Sequence, residues 1–313
     1  MKKIPNRQVH LDFHTSEMID QVGSKFSAEE FADTLKNANV EAVTLFTRCH
    51  HGNLYYDSTK YPERIHPHLK VKDMYREQAK ECRKKGIKVY LYTTICWDIR
   101  VAAEHPEWVA IDDYARISRR ETGNIFEDPG FHVDLCINSP YREFCKEQIA
   151  DALENCPVDG VLVDASFVVE CCCPRCRKSM LEKHLNPADP QDRKKHAWQI
   201  YYDFVREMTD YLHEIDSDYD IFFNKGHVGA QDIPVRDCFD YVAVESQPAN
   251  CGYMDFPVSA RYLRTWGVPV VGMTGRFLTG WGDNNSYRNQ AALEYESFSA
   301  LSYGGLCLSL IHI

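Results

Sequence analysis

Short apolar runs alternate along the chain with longer amphipathic stretches, and the periods are regular enough to predict elements. Residues 9–13 read as a strand. Residues 27–37 read as a helix, with Ser27 as N-cap and Glu30 three positions on as its capping-box partner. Residues 42–47 form a second strand. A loop through Pro67 leads to a helix over 70–85 that Gly86 ends, and residues 87–93 form the third strand. The connection from Trp97 to Ser139 is far longer than usual, which marks it as functional or as a small insertion. Pro140 opens a helix to about residue 155 at the first-turn position proline prefers. Val161, Leu162 and Val163 then run without solvent-facing alternation, as in a strand covered on both faces, and Asp164 closes that strand.

The same rhythm continues through a helix over 194–215, a strand at 220–224, a strand at 241–245 and a helix over 258–266. A strand at 268–273, a helix over 289–302 and an eighth strand at 304–310 follow. Repeated β–α alternation predicts an α/β fold, a (β/α)8 barrel, as one domain over residues 1–313. A doubly wound sheet is the alternative, but no glycine-rich dinucleotide or phosphate loop follows the first strand. The last strand has no closing helix behind it, so the expectation is a C-terminus cut in or after strand eight.

Composition narrows the function. Apolar residues make up 44% of the chain and charged residues 26%, with a net charge of −10, which argues against a nucleic-acid partner. No stretch reaches the apolar length of a membrane span, and the N-terminal lysines precede no apolar segment of a secretory signal. Thirteen cysteines, four of them bunched as Cys171, Cys172, Cys173 and Cys176, suit thiolate metal ligation in a reducing compartment better than disulfides. A cytoplasmic location is the expectation.

Polar and aromatic residues recur where the strands end. His10, Asp12 and His14 share one face of the first strand by period-two spacing. His50 and His51 follow the second strand, Trp97 and Asp98 the third, Asn224 with Lys225 and His227 the fifth, Glu245 the sixth, and Arg276 and Trp281 the seventh. Barrel enzymes place their chemistry at these carboxyl ends. The mixture suits carbohydrate, since aromatic faces stack on sugar rings and His, Asn and Arg bond hydroxyls, while two carboxylates supply nucleophile and acid/base.

Specific motifs carry resemblances. Cys49-His50-His51-Gly52 followed by Tyr55-Tyr56-Asp57-Ser58, Leu91-Tyr92 with Trp97-Asp98, and the Asp159-to-Asp164 strand resemble family 29 α-L-fucosidases. The resemblance implies that the His pair binds sugar hydroxyls and that Asp164 is the nucleophile. That family usually has Trp two residues before the nucleophile, and this chain has Leu162. Cys136-Ile-Asn138-Ser139-Pro140 with Cys171, Cys173 and Cys176 resembles the zinc site of family 42 β-galactosidases, which implies a structural Zn2+ on these four cysteines and hints at a homo-oligomer. The Asn-Glu pair of that family is replaced by Ala165 and Ser166. The broadest resemblance is to the barrel group called hypothetical glycosyl hydrolase family 6, through residues 10–17, 49–52, 105–108, 272–277 and 281–283.

Together these predict a retaining glycoside hydrolase acting on an α-L-fucoside-like or galacto-configured glycoside. Asp164 is the expected nucleophile and Glu245 the expected acid/base, because Glu245 ends a neighbouring strand; Glu17 and Glu296 are weaker choices. Glu296 falls inside an outer helix, where a solvent-facing carboxylate is expected. The expected sugar contacts are His10, His14, His50, His51, Trp97, Asp98, Asn224, Arg276 and Trp281. Cys82, Cys145, Cys156, Cys238, Cys251 and Cys307 read as small apolar fillers. Two other classes compete: a metal-dependent amidohydrolase using His10, Asp12, His14, His50 and His51, and a non-catalytic carbohydrate-binding barrel.

Overall fold

The computed structural model describes residues 3–119, 131–154, 156–278 and 287–312. The first half of the chain forms β1 (Arg7–Asp12), α1 (Ala28–Asn37), β2 (Ala42–Phe46), α2 (Met74–Lys84), β3 (Lys88–Thr94), α3 (Ile99–Glu104), α4 (Tyr141–Leu153) and β4 (Gly160–Asp164). The second half forms α5 (Pro174–Glu182), α6 (Pro190–Ile215), β5 (Asp220–Phe223), β6 (Val242–Glu245), α7 (Pro248–Cys251), α8 (Asp255–Leu263), β7 (Val270–Gly275), α9 (Gln290–Ser302) and β8 (Leu306–His312).

The strands run parallel in the order β5-β4-β3-β2-β1-β8-β7-β6, a nearly closed (β/α)8 barrel, as the alternation predicts. At the remaining seam Asp240 joins β5 to the start of β6. Its backbone N–H donates to the Ile221 carbonyl at 3.1 Å, and its carboxylate accepts from the Ile221 N–H at 2.9 Å. Val43, Val89 and Val161 lie fully or almost fully buried in the core, which explains why the strands read as continuous apolar runs rather than alternations.

Local chemistry fixes the ends. Ser27 caps α1 by accepting from the Glu30 N–H at 3.3 Å, and Asn289 caps α9 through the Ala292 N–H at 2.8 Å. Gly160 is required by the β4–β5 contact, since a Cβ there would lie 2.1 Å from the Asp220 carbonyl oxygen. Several elements depart from expectation: α3, α5 and α7 are not among the predicted helices, and α6 starts earlier than expected. α5 follows the cysteine cluster directly, where thiol spacing masks any helical period, and α6 begins at Pro190 because Asp189 caps it. The long connection after β3 contains α3 and a set of short antiparallel bridges, among them Trp97 with Asp134 and Val109 with Leu135. Among the described residues no helix is long and apolar enough to cross a membrane.

Candidate active site

Parallel register carries a cluster of polar side chains to one end of the barrel. Thr94 pairs with Asp164, and Phe46 pairs with Tyr92, so the last turns of β2, β3 and β4 are level. Tyr92 stacks on Phe46 with ring centroids 3.8 Å apart, which fixes its phenol across the barrel mouth. A cavity of about 210 Å³ opens there, lined by His10, His14, His50, Tyr92, Trp97, Leu162, Asp164, Phe167, Asn224, Lys225, Gly226, Glu245, Met273 and Leu310. It is smaller than the roughly 300–1,000 Å³ of drug-sized pockets and suits one small ring. A larger groove of about 670 Å³ lies between α2 and α4 on the outer surface, where Asp73, Arg76 and Lys80 are among its lining charges. It gathers no converging set of buried polar groups, and the strand-end cavity is the better site.

Two carboxylates face one amide. Asn224 follows β5, and its Nδ2 donates to Asp164 Oδ1 at 2.8 Å and to Glu245 Oε1 at 2.8 Å. Those two oxygens are therefore no farther apart than two such bonds laid end to end, which is closer than the carboxyl groups of an inverting pair stand. The Asn224 side-chain oxygen in turn accepts from the Gly226 N–H at 3.1 Å. Asp164 Oδ2 also accepts from the Tyr92 hydroxyl at 2.6 Å, a charge-assisted bond worth about 1.5–3 kcal/mol. The Asp164 side chain keeps 17% of its surface exposed, so a ligand reaches it.

Burial and charge separate the pair. Burial raises Asp164 above the ordinary carboxylate value, opposed by the hydrogen bonds from Tyr92, from the backbone N–H of Ala165 and from Asn224. Burial also raises Glu245, to about 7, with the neighbouring Asp164 charge adding to it and Asn224 opposing it. Ala165 sits in the left-handed region at φ 49°, directly after Asp164. A non-glycine residue there stores backbone strain next to the carboxylate.

The histidines form the wall beside Asp164. His14 Nδ1 accepts from the His50 backbone N–H at 3.1 Å, which leaves its Nε2 to carry the proton, 3.4 Å from the Tyr92 hydroxyl. His50 Nε2 lies 3.9 Å from Asp164 Oδ2, and burial holds His50 well below its ordinary pKa. His10 is lowered to about 3 by burial and is neutral, and its Nδ1 has no hydrogen-bond partner among the described residues. Trp97 stands edge-on to His50 at 4.9 Å and donates from Nε1 to Asp134 at 3.0 Å.

Other expected site residues lie elsewhere. Asp98 is fully buried against Arg48 at 2.7 Å, and it caps α3 through the Val101 N–H at 2.8 Å. It closes against Gly52, whose φ of +85° and missing Cβ make room for its carboxylate. Breaking such a buried pair costs about 3–5 kcal/mol, and Asp98 holds the His50 loop rather than lining the cavity. His51 is half-buried against Phe131 at 4.9 Å, next to the cavity wall but outside its lining. Arg276 is exposed, its guanidinium 4.1 Å over the Tyr287 ring. Trp281 lies outside the described residues. Glu17 is exposed. Glu296 corrects its expectation: it is buried, accepts from Arg288 Nη1 at 2.6 Å and accepts from the Thr274 hydroxyl, because α9 turns it inward onto β7.

The sequence placed Lys225 among the strand-end polar residues and Tyr92 in a motif but counted neither among the expected sugar contacts, and it did not single out Phe167; all three line the cavity. Tyr92 carried a usable signal, since period two from Tyr90 puts both inside the barrel. Phe167 lies on an irregular loop and carried none. Lys225 turns its Nζ to Asp232 at 3.2 Å and to the Trp198 ring at 5.2 Å.

Below the β4 loop, Cys136, Cys171, Cys173 and Cys176 are all buried, with their sulfurs within 4.8 Å of one another. Cys136 Sγ lies 3.5 Å from Cys176 Sγ and 3.9 Å from Cys173 Sγ. Tetrahedral thiolate ligation with metal–sulfur bonds of about 2.3 Å puts sulfurs roughly 3.8 Å apart, so the four fit a metal ion. Asn138 Nδ2 at 3.5 Å and the Cys173 N–H at 3.4 Å point at Cys176 and Cys171, donors that favour thiolates. Among the described residues this is the one group of three or more potential ligands drawn together in this way.

Comparison with known proteins gives the wider setting. No curated protein matches the sequence. The structure is similar to α-L-fucosidase isoenzyme 2 from Paenibacillus thiaminolyticus, at 32% identity and TM-score 0.90, over 99% of this chain and 46% of that one. It is also similar to a β-galactosidase from the psychrophilic Marinomonas ef1, at 13% identity and TM-score 0.66, over 97% of this chain and 54% of that one. An α-L-fucosidase GH29 from Bacteroides thetaiotaomicron shares the fold at 15% identity and TM-score 0.55, over 92% of this chain and 55% of that one. The chain thus spans about half the length of each of these proteins. The expected resemblance to an uncharacterised barrel group is met as well: residues 27–165, which carry the His50 loop and the Asp164 strand, match the family described as Hypothetical glycosyl hydrolase 6.

Proposed function

We propose that this protein is a retaining glycoside hydrolase with Asp164 as nucleophile and Glu245 as general acid/base. The observation that carries the reading is the single amide that bonds both carboxyl groups and sets their separation. Asp164 Oδ2 or Oδ1 attacks the anomeric carbon while the glycosidic C–O bond breaks, and Glu245 gives its proton to the departing oxygen. Water then attacks the glycosyl ester, Glu245 takes the proton back, and Asp164 leaves as carboxylate. Glu245 at about 7 is protonated in the first step and basic in the second. The Tyr92 hydroxyl, pushed well above its ordinary pKa by burial and by Asp164, stays protonated and supports the Asp164 charge.

His10, His14 and His50 contact sugar hydroxyls in this reading, and Trp97 closes the aromatic side of the ring. The substrate class is an α-L-fucoside or a galacto-configured relative, supported by the 32% identity to an α-L-fucosidase over nearly the whole chain. The four cysteines hold one structural Zn2+, whose chemistry is to neutralise the thiolates and tie the connection after β3 to the β4 loop. An amidohydrolase-like site is less well supported, because His14 Nδ1 already accepts a backbone N–H.

A screen of aryl glycosides with the wild type, Asp164→Asn and Glu245→Gln tests the assignment. Hydrolysis that neither substitution reduces would sink it. Sugar binding with no hydrolysis by the wild type would favour a binding barrel.

A further inference from the structure

We infer that Asn224 is a positioning residue that holds the two carboxyl groups in their separate roles, and not a sugar contact; this rests on the proposed assignment of Asp164 and Glu245. An Asn side chain has two N–H donors and one carbonyl acceptor. Both donors of Asn224 are spent, one on Asp164 Oδ1 and one on Glu245 Oε1, each at 2.8 Å. Its carbonyl accepts from the Gly226 N–H at 3.1 Å, which fixes the amide against a flip. No N–H remains for a hydroxyl, so a sugar that accepted a hydrogen bond from Asn224 would have to release a carboxylate; the carbonyl's second lone pair is the one place left for a hydroxyl to donate.

The direction of these bonds assigns the proton. An N–H that points at Glu245 Oε1 requires a lone pair there, so the acid's proton sits on Oε2. On the other side, Asp164 takes donors on both oxygens, Asn224 on Oδ1 and Tyr92 on Oδ2, an environment that keeps it ionised. One residue thus favours the anion at β4 and orients the neutral acid at β6. The other titratable or charged groups lining this cavity are His10 and His14 from the first strand and its loop, His50 after β2, Tyr92 from β3 and Lys225 after β5. Among the described residues the side chains of Tyr92 and Asn224 donate to the carboxyl pair at under 3 Å.

The test is Asn224→Ala, with Asn224→Asp as a second variant, in the full chain. Positioning predicts a kcat reduced by about 10- to 100-fold with KM changed by less than about threefold, and a pH–rate profile whose acidic and alkaline limbs both move to higher pH. Asn224→Asp, which replaces donors with a third carboxyl, falls further. A KM raised at least tenfold with kcat and both limbs unchanged would make Asn224 a sugar contact and overturn the inference. Carboxyl titration by 13C NMR, on labelled Asp and Glu, reads the same point without turnover: both groups titrate higher in Asn224→Ala. Unchanged titrations would overturn the inference even if the variant is inactive or poorly folded under assay. If Asp164→Asn and Glu245→Gln retain hydrolysis, the catalytic assignment fails on its own, while the NMR result still decides whether Asn224 couples the pair.

Discussion

The barrel gathers two buried clusters of like ionisable groups beyond the end of β4, and it satisfies them in opposite ways. At the mouth, Asp164 and Glu245 are held by neutral donors, Asn224 and Tyr92, beside a cavity. In the cysteine cluster four thiols converge on one another, with sulfurs as close as 3.5 Å. Groups separated by neutral donors keep individual proton affinities and can exchange protons with a ligand. Groups collected around a point relieve their repulsion by sharing one cation. In the proposed reading the first arrangement serves turnover and the second holds a loop in place.

The sharpest way to break this contrast is Asp164→Asn. The substitution keeps shape and hydrogen-bonding volume but removes the attacking charge, so kcat should fall by on the order of 10³-fold or more with the melting temperature unchanged or higher. Initial rates on the best aryl glycoside, with thermal melts alongside, measure both. A variant that unfolds instead would make Asp164 structural.

Cys176→Ser makes the reverse statement. A thiolate lost from a four-sulfur site costs metal affinity and stability, and a drop in melting temperature of roughly 10 °C is expected, with less bound zinc by elemental analysis. Per folded molecule, kcat should stay within about threefold of wild type at low temperature. A large kcat loss with normal stability would move the cysteines into the chemistry and erase the difference between the clusters.

Tyr92→Phe probes one donor of the mouth. Removing the 2.6 Å hydrogen bond leaves Asp164 less stabilised as an anion. Its pKa rises further, so the acidic limb of kcat/KM moves to higher pH and the plateau falls by roughly tenfold. A full pH–rate profile checks this; an unmoved limb would mean that the limb does not report Asp164.

How much of this was legible from sequence follows the same division. The eight strands were readable because a barrel strand covered on both faces is an apolar run, and Val161–Val163 has no solvent-facing position to break it. The strand-end positions of Asp164 and Glu245 were readable because each is the last polar residue of such a run. Asp98 was not separable from a cavity residue by sequence: Tyr92 lies inside β3 near its end and Asp98 just after it, but one points across the mouth and the other pairs with Arg48 under the His50 loop. Strand-end position gives the ring of candidates, and side-chain direction beyond the last paired residue decides among them. Glu296 shows the same limit on a helix, where α9 is apolar enough on several faces that period alone did not say which side faced the barrel.

The smallest effect concerns the stability cost of the acid. Glu245 has a folded value of about 7, raised by burial from an ordinary value near 4.5. Between these values the unfolded chain has released the proton and the folded one keeps it. The stability contributed by the neutral acid is therefore fully present below the lower value and is lost as pH rises through about 7. Above that, the wild type folds around a charge that Asp164 repels, relieved only in part by Asn224. Glu245→Gln has nearly the same shape and cannot ionise. Its melting temperature should match the wild type within a degree or so near pH 5 and exceed it by roughly 3–5 °C at pH 8.5. The cysteine cluster would offer no such gain on losing a member if, as proposed, its repulsion is met by a shared ion instead of by holding a proton. A Glu245→Gln advantage that is constant with pH would mean that the side chain is strained by packing and not by its charge.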